Sequence, residues 1–291
     1  MVIDFSYINT RWNDLKKHPA FKKAPAITLW RLGTWMVHCT FGVSAVIKLP
    51  KWGCKFYVPP KFRRAGSTGI FLLREDYDPE LAYIQKTLSE GQVFIDGGAN
   101  FGIYTVLASQ VVGKSGKVFA FEPGNESFAV LSRNKKINQM DNTKLFQAAL
   151  SNQKGVTRLY HIDNAPNSYS IGGEAQSQGE FEEVATITLD HLAADENLER
   201  VDMIKLDVEG AEELVLQGGQ MMLKEMSPIL LFEVSKRAMG RLNLSKEGVT
   251  RILQDLNYHF FKLNSVGELV KVDTPQTGNN IAIPASKDSC E

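Results

Sequence analysis

A glycine-rich turn is the segment whose residue types most directly suggest chemistry. In VFIDGGANFG, residues 93–102, a predicted strand ends at Asp96 and the chain turns into a predicted helix. Glycine lacks the Cβ that would block a close approach of backbone to a ligand, and the start of a helix presents unpaired N–H groups. The segment therefore predicts a ligand site formed by Gly97, Gly98, Ala99, Asn100 and Gly102.

The composition of this turn indicates which kind of ligand it would hold. The dinucleotide spacing GxGxxG fails from Gly97 and from Gly98, because Ala99 and Asn100 take the place of its second glycine. The turn also has no lysine suited to a phosphate. The Asp96 carboxylate would disfavour a pyrophosphate but favour a sulfonium nucleoside with an ammonium group, either through solvent or by holding the turn.

A second acidic residue is predicted at the same edge of the sheet. Glu122 follows Gly102 by 20 residues, at the carboxyl end of the next predicted strand. There its carboxylate could accept hydrogen bonds from both hydroxyls of a ribose. Gln147, Ala148 and Ala149 end the third predicted strand, where small residues would leave room for an adenine ring. The alternative is that the turn is an ordinary one and that Glu122 only caps a helix.

Further carboxylates lie in MIKLDVEG and at the end of the strand after it. Lys205, Asp207 and Glu209 alternate, so that an extended backbone would point them to one side, and Glu233 ends the fifth predicted strand. A carboxylate near an acceptor hydroxyl could remove its proton, an effect of about 10²- to 10⁴-fold. The alternative is structural: Lys205 pairs with Asp207, and Glu209 lies at the start of a helix.

Two other arrangements of these groups stay open. The carboxylates could hold a divalent metal, since oxygen ligands suit magnesium, although no ligand spacing demands it. His161 and Asp163, at the border of a polar stretch, could supply a different base.

The elements that must position these residues alternate between strands and helices. Strands are predicted at 93–96, 117–122, 143–150, 201–207, 228–234, 259–263 and 280–284, and helices at 101–112, 125–138, 210–225 and 245–256. Such alternation predicts an α/β fold with a doubly wound, mostly parallel sheet. Residues 151–192 interrupt it with two predicted strands and a polar loop, an insertion that could line the ligand crevice or be plain surface.

Residues 1–80 are predicted to form a cap before the main domain at 81–291. The cap would contain a helix near 26–46, a hairpin at 46–60 and a basic loop at 61–69, and a helix at 79–89 would follow it. The charge-free run at 32–47 has 16 residues, whereas a membrane span needs roughly 20. We expect a packed helix, with peripheral membrane contact through residues 26–47 as the alternative.

Composition excludes several classes of partner. Lys and Arg total 33 and so do Asp and Glu, which argues against nucleic acid as the partner and favours a small acceptor. The three cysteines are scattered and the first residues do not resemble a secretory leader, so a reducing cytosol is expected. The oligomeric state has no signal in the sequence.

Several ordered motifs together resemble one family. VFIDGGANFGIYTVLAS, VFAFEP, TLDHL and MIKLDVEGAEELVLQGG are similar to those of the FkbM-type methyltransferases that use S-adenosylmethionine, over about residues 75–285. The resemblance implies a seven-stranded class I methyltransferase fold with an antiparallel closing strand. It also implies O-methylation of sugars, polyketides or similar hydroxylated metabolites. Gly97 stands where many members carry valine, and residues before 75 match only loosely.

The resemblance and the residues together define the predicted site. Cofactor binding is assigned to Asp96, Gly97, Gly98, Ala99, Asn100, Gly102, Tyr104, Glu122, Pro123, Ala148, Ala149 and Asp207. The catalytic assignments are Asp207, Glu209, Glu233 and Lys205. The competing functions are an NAD-dependent oxidoreductase, which the missing dinucleotide spacing disfavours, and a binding protein that holds the nucleoside without turnover.

Overall fold

The computed structural model describes residues 12–61, 65–161, 169–171, 181–264 and 266–288. Two compact units divide the chain between Leu81 and Ala82. Some predictions concern residues outside the described ranges, namely the N-terminal eleven residues, Arg63 and Arg64 of the basic loop, Asp163, most of the polar loop at 162–180, and Cys290. The side chain of His161 is also outside the description.

The N-terminal unit combines helices with an antiparallel hairpin. Its helices are α1 (Pro19–Lys23), α2 (Pro25–Thr40) and α3 (Ala65–Leu73), and α4 (Pro79–Thr87) crosses the boundary. The hairpin pairs β1 (Ala45–Leu49) with β2 (Cys54–Val58), in agreement with the sequence. Of the helices in the described ranges, none has the length and apolar character that crossing a bilayer demands.

The prediction of a loop through residue 69 is wrong, because α3 begins at Ala65. The glycines of AGSTGIFLL indicate a loop, but Ile70, Phe71 and Leu72 are buried. Gly69 is required by packing, since a Cβ there would lie 2.1 Å from the Tyr77 ring. Tertiary packing therefore overrides the low helix propensity of this segment.

Eight strands form the central sheet of the second unit. They are β3 (Val93–Gly97), β4 (Lys117–Phe121), β5 (Thr143–Phe146), β10 (Met203–Leu206), β11 (Ile229–Val234), β12 (Tyr258–Leu263), β13 (Leu269–Val272) and β14 (Gly278–Pro284). Their order is β13-β12-β14-β11-β10-β3-β4-β5. The five strands from β11 to β5 run parallel, and β14 is antiparallel to β11 and β12. The predicted mostly parallel sheet with an antiparallel closing strand is confirmed.

The eighth strand was not predicted. β13 is a largely exposed edge strand of four residues that pairs only with β12 in this sheet. A short edge strand that carries a lysine, here Lys271, resists pairing with other chains and lacks the apolar run that marks a buried strand.

The helices between the strands are α5 (Ile103–Val112), α6 (Asn125–Ile137), α7 (Leu189–Asp195), α8 (Glu212–Gln217), α9 (Gln220–Met226), α10 (Lys236–Arg241) and α11 (Lys246–Asp255). The single helix predicted at 210–225 is wrong, because α8 ends before Gly218 and α9 begins after Gly219. A Cβ on Gly218 would lie 2.3 Å from the carbonyl oxygen of Ser151, and one on Gly219 would lie 2.7 Å from Leu189. The two glycines between α8 and α9 therefore let the chain pass close to Ser151 and Leu189.

A second, four-stranded sheet contains the insertion. Its strands are β6 (Ala148–Leu150), β7 (Gly155–His161), β8 (Tyr169–Ile171) and β9 (Phe181–Ile187), in the order β6-β9-β7-β8. The prediction of one strand at 143–150 is wrong, since β5 pairs with β4 and β6 pairs with β9. The apolar run continues through both β5 and β6, so the sequence does not show the boundary between them. Only the different pairing partners, β4 and β9, separate the two strands.

The central strands form the core that fixes the site. All five residues of β3 and all four of β10 are buried, as expected for strands covered on both faces. Ile95, Phe121, Leu206 and Phe232 belong to one cluster of buried side chains, each of which stabilises the fold by about 1.5–3 kcal/mol. The adjacent carboxyl ends of β4, β3 and β10 thereby become a rigid edge.

Candidate active site

The turn after β3 is built by close backbone packing. The N–H groups of Gly98 and Ala99 both donate to the carbonyl oxygen of Phe121, at 3.0 and 2.8 Å. Gly98 has a φ of +74°, and a Cβ there would lie 1.9 Å from the carbonyl oxygen of Asp207. Gly102 has a φ of +87°, and its Cβ would meet Leu131 at 2.4 Å. The protein's own atoms therefore require these glycines, which is a reason in addition to the predicted close approach of a ligand.

Glu122 joins this turn to the end of β4. Its Oε2 accepts from the N–H of Asn100 at 2.8 Å, and its Oε1 accepts from the N–H of Gly124 at 2.9 Å. Burial raises the pKa of Glu122 to about 7, although the two backbone hydrogen bonds lower it. A carboxylate oxygen has two acceptor sites, so each oxygen keeps one for a ligand.

Lys205 and Asp96 form a buried ion pair beside the turn after β3 and the loop after β10. The Nζ of Lys205 donates to the carbonyl oxygen of Gly98 at 3.0 Å and lies 3.5 Å from an oxygen of Asp96 and of Asp207. It also lies 5.0 Å from the centroid of the Tyr104 ring. Burial lowers the pKa of Lys205, but the two carboxylates outweigh burial, so that the pKa is raised and the ammonium stays charged.

Asp96 is fully buried and takes part in the fold rather than in the pocket lining. The hydroxyl of Thr105 donates to its Oδ2 at 2.6 Å. Burial raises the pKa of Asp96, and Lys205 opposes that rise. Of the two roles foreseen for Asp96, these contacts support holding the turn.

A pocket opens at the carboxyl ends of β3, β4 and β10. Its polar lining comes from Asn100, Glu122, Asp207 and Glu209. Its other lining residues are apolar or lack a polar side chain: Gly98, Phe121, Pro123, Ala148, Ala149, Leu150, Leu159 and Val208. A concave surface that combines apolar walls with a few polar groups is typical of a small-molecule site.

Three carboxylates meet beside this pocket. Asp207 and Glu209 line it, and Glu233 comes from the neighbouring strand β11. Burial raises the pKa of Glu233 to about 7, and the negative charges of Asp207 and Glu209 add to the rise. The strand β10 stops at Leu206, and Glu209 has a φ of +55°. The backbone is therefore not extended as far as Glu209, so the one-sided alternation predicted for Lys205, Asp207 and Glu209 does not hold.

Glu212 was missed by the sequence analysis. Its Oε1 accepts from the N–H groups of Val208 and Gly210, at 3.1 and 3.4 Å. Burial raises the pKa of Glu212 to about 8. The side chain holds the loop that carries Asp207 and Glu209, and the acidic start of α8 is the only signal that could have found it.

A divalent metal is one of the alternatives that the sequence leaves open. In the part of the chain that the structure describes, no three side chains of the metal-ligating types are grouped so as to hold an ion.

Comparison with known families decides the class of protein. Residues 96–260, more than half of the chain, match the family model described as the Methyltransferase FkbM domain. This chain belongs to the FkbM methyltransferase family. The match begins at Asp96 and includes Glu122, the Asp207 loop and Glu233, and it confirms the resemblance inferred from the motifs.

Curated relatives carry the same general name. Methyltransferase sdnD of Sordaria araneosa is 27% identical over 165 residues, which cover 47% of this chain and 63% of the relative. Methyltransferase 1 of Beauveria bassiana is 27% identical over 142 residues, 43% of this chain and 57% of the relative. The chain thus spans less than two-thirds of the length of these relatives.

A solved structure with the family name is among those similar to this chain. The Methyltransferase FkbM of Methylobacillus flagellatus is 13% identical, with a TM-score of 0.43 over 75% of this chain and 54% of that chain.

The structure brings together part of the site predicted for an FkbM methyltransferase. Seven of the residues assigned to the cofactor line the pocket: Gly98, Asn100, Glu122, Pro123, Ala148, Ala149 and Asp207. The others form the strand end, the turn and the start of α5: Asp96, Gly97, Ala99, Gly102 and Tyr104. Of the four catalytic assignments, Asp207 and Glu209 line the pocket, whereas Lys205 and Glu233 do not.

Some pocket residues escaped the sequence analysis. Phe121 and Leu150 adjoin predicted residues along the chain, so the sequence could have indicated them. Val208 lies between two predicted carboxylates. Leu159 comes from β7 of the insertion, and only the folded insertion brings it to the pocket.

Proposed function

We propose that this protein binds S-adenosylmethionine in the described pocket and transfers its methyl group to a hydroxyl oxygen of a small acceptor. The observation that carries the proposal is the convergence of Glu122, Asn100 and the Asp207 loop on one pocket at the carboxyl edge of the sheet. Ligands of open α/β sheets commonly bind at this edge. Membership of the FkbM family supports methyl transfer as the activity.

The residues present fit this cofactor. The two Glu122 oxygens keep acceptor sites for ribose hydroxyls, and Ala148 and Ala149 line the pocket with small side chains that would leave room for an adenine ring. The Oδ1 of Asn100 is buried and has no hydrogen-bond partner among the described residues. A buried acceptor of this kind needs a donor, which a hydroxyl or ammonium of the cofactor could supply.

The carboxylates beside the pocket fit the chemistry of a hydroxyl acceptor. The cofactor supplies an activated methyl group, and the protein must align acceptor oxygen, methyl carbon and sulfur. Glu233, with its pKa near 7, could take the acceptor proton at neutral pH. Asp207 would be the carboxylate nearest the methyl group of the bound cofactor, and Glu209 would anchor the acceptor or serve as the base. Lys205 acts by fixing Asp207.

The acceptor class is a hydroxylated metabolite such as a sugar or polyketide. The expected compartment is a reducing cytosol, which agrees with Cys39 and Cys54 being free thiols. A divalent metal is not needed for the proposed chemistry.

Calorimetric titration with S-adenosylhomocysteine tests the binding site. Glu122→Gln should weaken binding at least about tenfold. The amide oxygen of glutamine can accept from one of the two backbone N–H groups, but its NH₂ group then faces the other N–H, donor against donor. Glu182→Gln is the matched control, since Glu182 also accepts a backbone N–H, from Asn125 at 3.0 Å, but lies outside the pocket lining. Absence of heat with the wild type, or heat with NAD instead, refutes the proposed cofactor.

Transfer of a labelled methyl group tests the reaction. A panel of hydroxylated metabolites should yield an O-methyl product, identified by NMR, and Asp207→Ala should abolish transfer while Asp141→Ala, an exposed control, leaves it unchanged. A product methylated on carbon or nitrogen refutes the proposed acceptor atom. Cofactor binding without transfer to any acceptor of the panel favours the non-catalytic binding protein.

A further inference from the structure

Helix α2 is attached to the N-terminal unit along one face. Thr28 and Trp35 are buried there. The Trp35 ring stacks on Phe71 at 4.6 Å, and its Nε1 donates to the hydroxyl of Thr68 at 2.9 Å. Arg31 donates to the carbonyl oxygen of Leu72 at 2.8 Å. These contacts fix which side of the helix faces solvent.

The remaining surface of α2 exposes large apolar side chains. Helical spacing places Trp30 and Val37 opposite Thr28 and Trp35, and Leu29 and Met36 along one flank between the two sides. We call these four exposed residues the outer face. Trp30 is 70% exposed, and the others are 45–56% exposed. A helix on the surface of a globular protein normally carries polar or charged residues on this side.

The exposed apolar surface continues beyond the helix. Phe41 is 75% exposed, and Val43 and Val46 are exposed as well. Exposed apolar side chains are thus concentrated in residues 29–46, and large exposed apolar patches mark interaction sites.

The segment that carries the outer face has an excess of positive charge. The whole chain is neutral, but residues 12–58 contain eight Lys and Arg and a single acidic residue, Asp14. Exposed lysines precede the helix, at positions 16, 17, 22 and 23, and Lys48 shares the exposed side of β1 with Val46. The surface is therefore complementary to a negatively charged, apolar partner.

We propose that the outer face and its flanking lysines dock the protein on an anionic lipid bilayer. Trp30 and its apolar neighbours enter the boundary between headgroups and acyl chains, as apolar faces of interfacial helices do. The lysines extend their ammonium groups to anionic headgroups. A second copy on the same face would bring two sets of positive charges into one interface, which favours the bilayer.

Flotation of the full chain with phosphatidylcholine vesicles, with and without phosphatidylserine, tests this docking. We expect binding only when phosphatidylserine is present, and weaker binding as salt is added. The double variant Trp30→Ser/Val37→Ser should lose binding. Its matched control, Val156→Ser/Met221→Ser, removes two exposed apolar side chains of the other unit and should bind as the wild type does.

Charge reversal tests the electrostatic part separately. Lys22→Glu/Lys23→Glu should weaken binding at least about tenfold, since each basic residue contributes roughly fivefold. Lys135→Glu/Lys136→Glu, a pair on α6, should not change it. All variants should keep the thermal melting curve and the S-adenosylhomocysteine affinity of the wild type.

Three results overturn the proposal. The first is no flotation with either vesicle, and the second is equal flotation of wild type and the Trp30→Ser/Val37→Ser variant. The third is a dimer, detected by analytical ultracentrifugation without vesicle binding, that this same variant dissociates, because a second copy would then be the occupant.

Discussion

Replacing Lys205 with methionine removes the positive charge that Asp96 faces inside the sheet. The Lys205 side chain is 6% exposed and that of Asp96 is fully buried, with 3.5 Å between Nζ and Oδ1. Removing one partner of a buried pair leaves the other charge uncompensated, which costs about 3–5 kcal/mol. We therefore expect Lys205→Met to lower the free energy of unfolding by about that amount at neutral pH.

The pH dependence of the variant follows from Asp96. Burial already raises its pKa in the folded protein, and loss of Lys205 raises it further. A carboxyl whose folded pKa lies above its unfolded value stabilises the fold when protonated and loses that contribution as pH rises. The defect of Lys205→Met should therefore shrink as the pH falls.

Urea unfolding at neutral and mildly acidic pH measures both effects. The double variant Asp96→Asn/Lys205→Met should recover most of the loss, because the neutral amide needs no counterion and its oxygen can still accept from the Thr105 hydroxyl. Lys224→Met, on an exposed position of α9, should stay within about 0.5 kcal/mol of the wild type. A loss below about 1 kcal/mol for Lys205→Met, or no recovery in the double variant, contradicts the reasoning.

Two further perturbations test the loops around the pocket. Gly98→Ala should cost more than about 2 kcal/mol in urea unfolding, because left-handed strain of about 1–2 kcal/mol adds to the collision with Asp207. Gly91 is also left-handed, but the atom nearest to an added Cβ would be 3.6 Å away, so Gly91→Ala should show the backbone strain alone. Equal losses of unfolding free energy in the two variants would show that the collision with Asp207 contributes nothing. Glu212→Gln should become more stable than the wild type as pH rises from about 4.5 to about 8, by up to about 1.4 kcal/mol per unit, since its raised pKa makes ionisation unfavourable. Parallel pH profiles for wild type and Glu212→Gln would show that the carboxyl does not titrate in this range.

The central parallel strands were predictable because their signal is local. Buried strands such as VFID and MIKL are short apolar runs, and the ends of these runs already placed Asp96, Glu122 and Asp207 near one edge. The position of β10 beside β3 is not encoded in these runs, and the structure supplies it.

The errors occur where a distant partner determines the local structure. Residues 143–150 form one apolar run, yet β9 recruits Ala148–Leu150 into a different sheet. Gly218 and Gly219 divide a predicted helix because Ser151 and Leu189 need their space. In both cases the deciding atoms lie tens of residues away along the chain.

The sequence by itself determined the alternation of strands and helices, the glycine turn and the family, because periodicity and motif spacing are properties of neighbouring residues. Only the tertiary structure decided that Lys205 lies between Asp96 and Asp207, that Glu212 holds the loop of Asp207 and Glu209, and that Leu159 reaches the pocket. The pKa of Glu233 also depends on this assembly. Burial and charge pairing are set by atoms that folding brings together, and no local pattern encodes them.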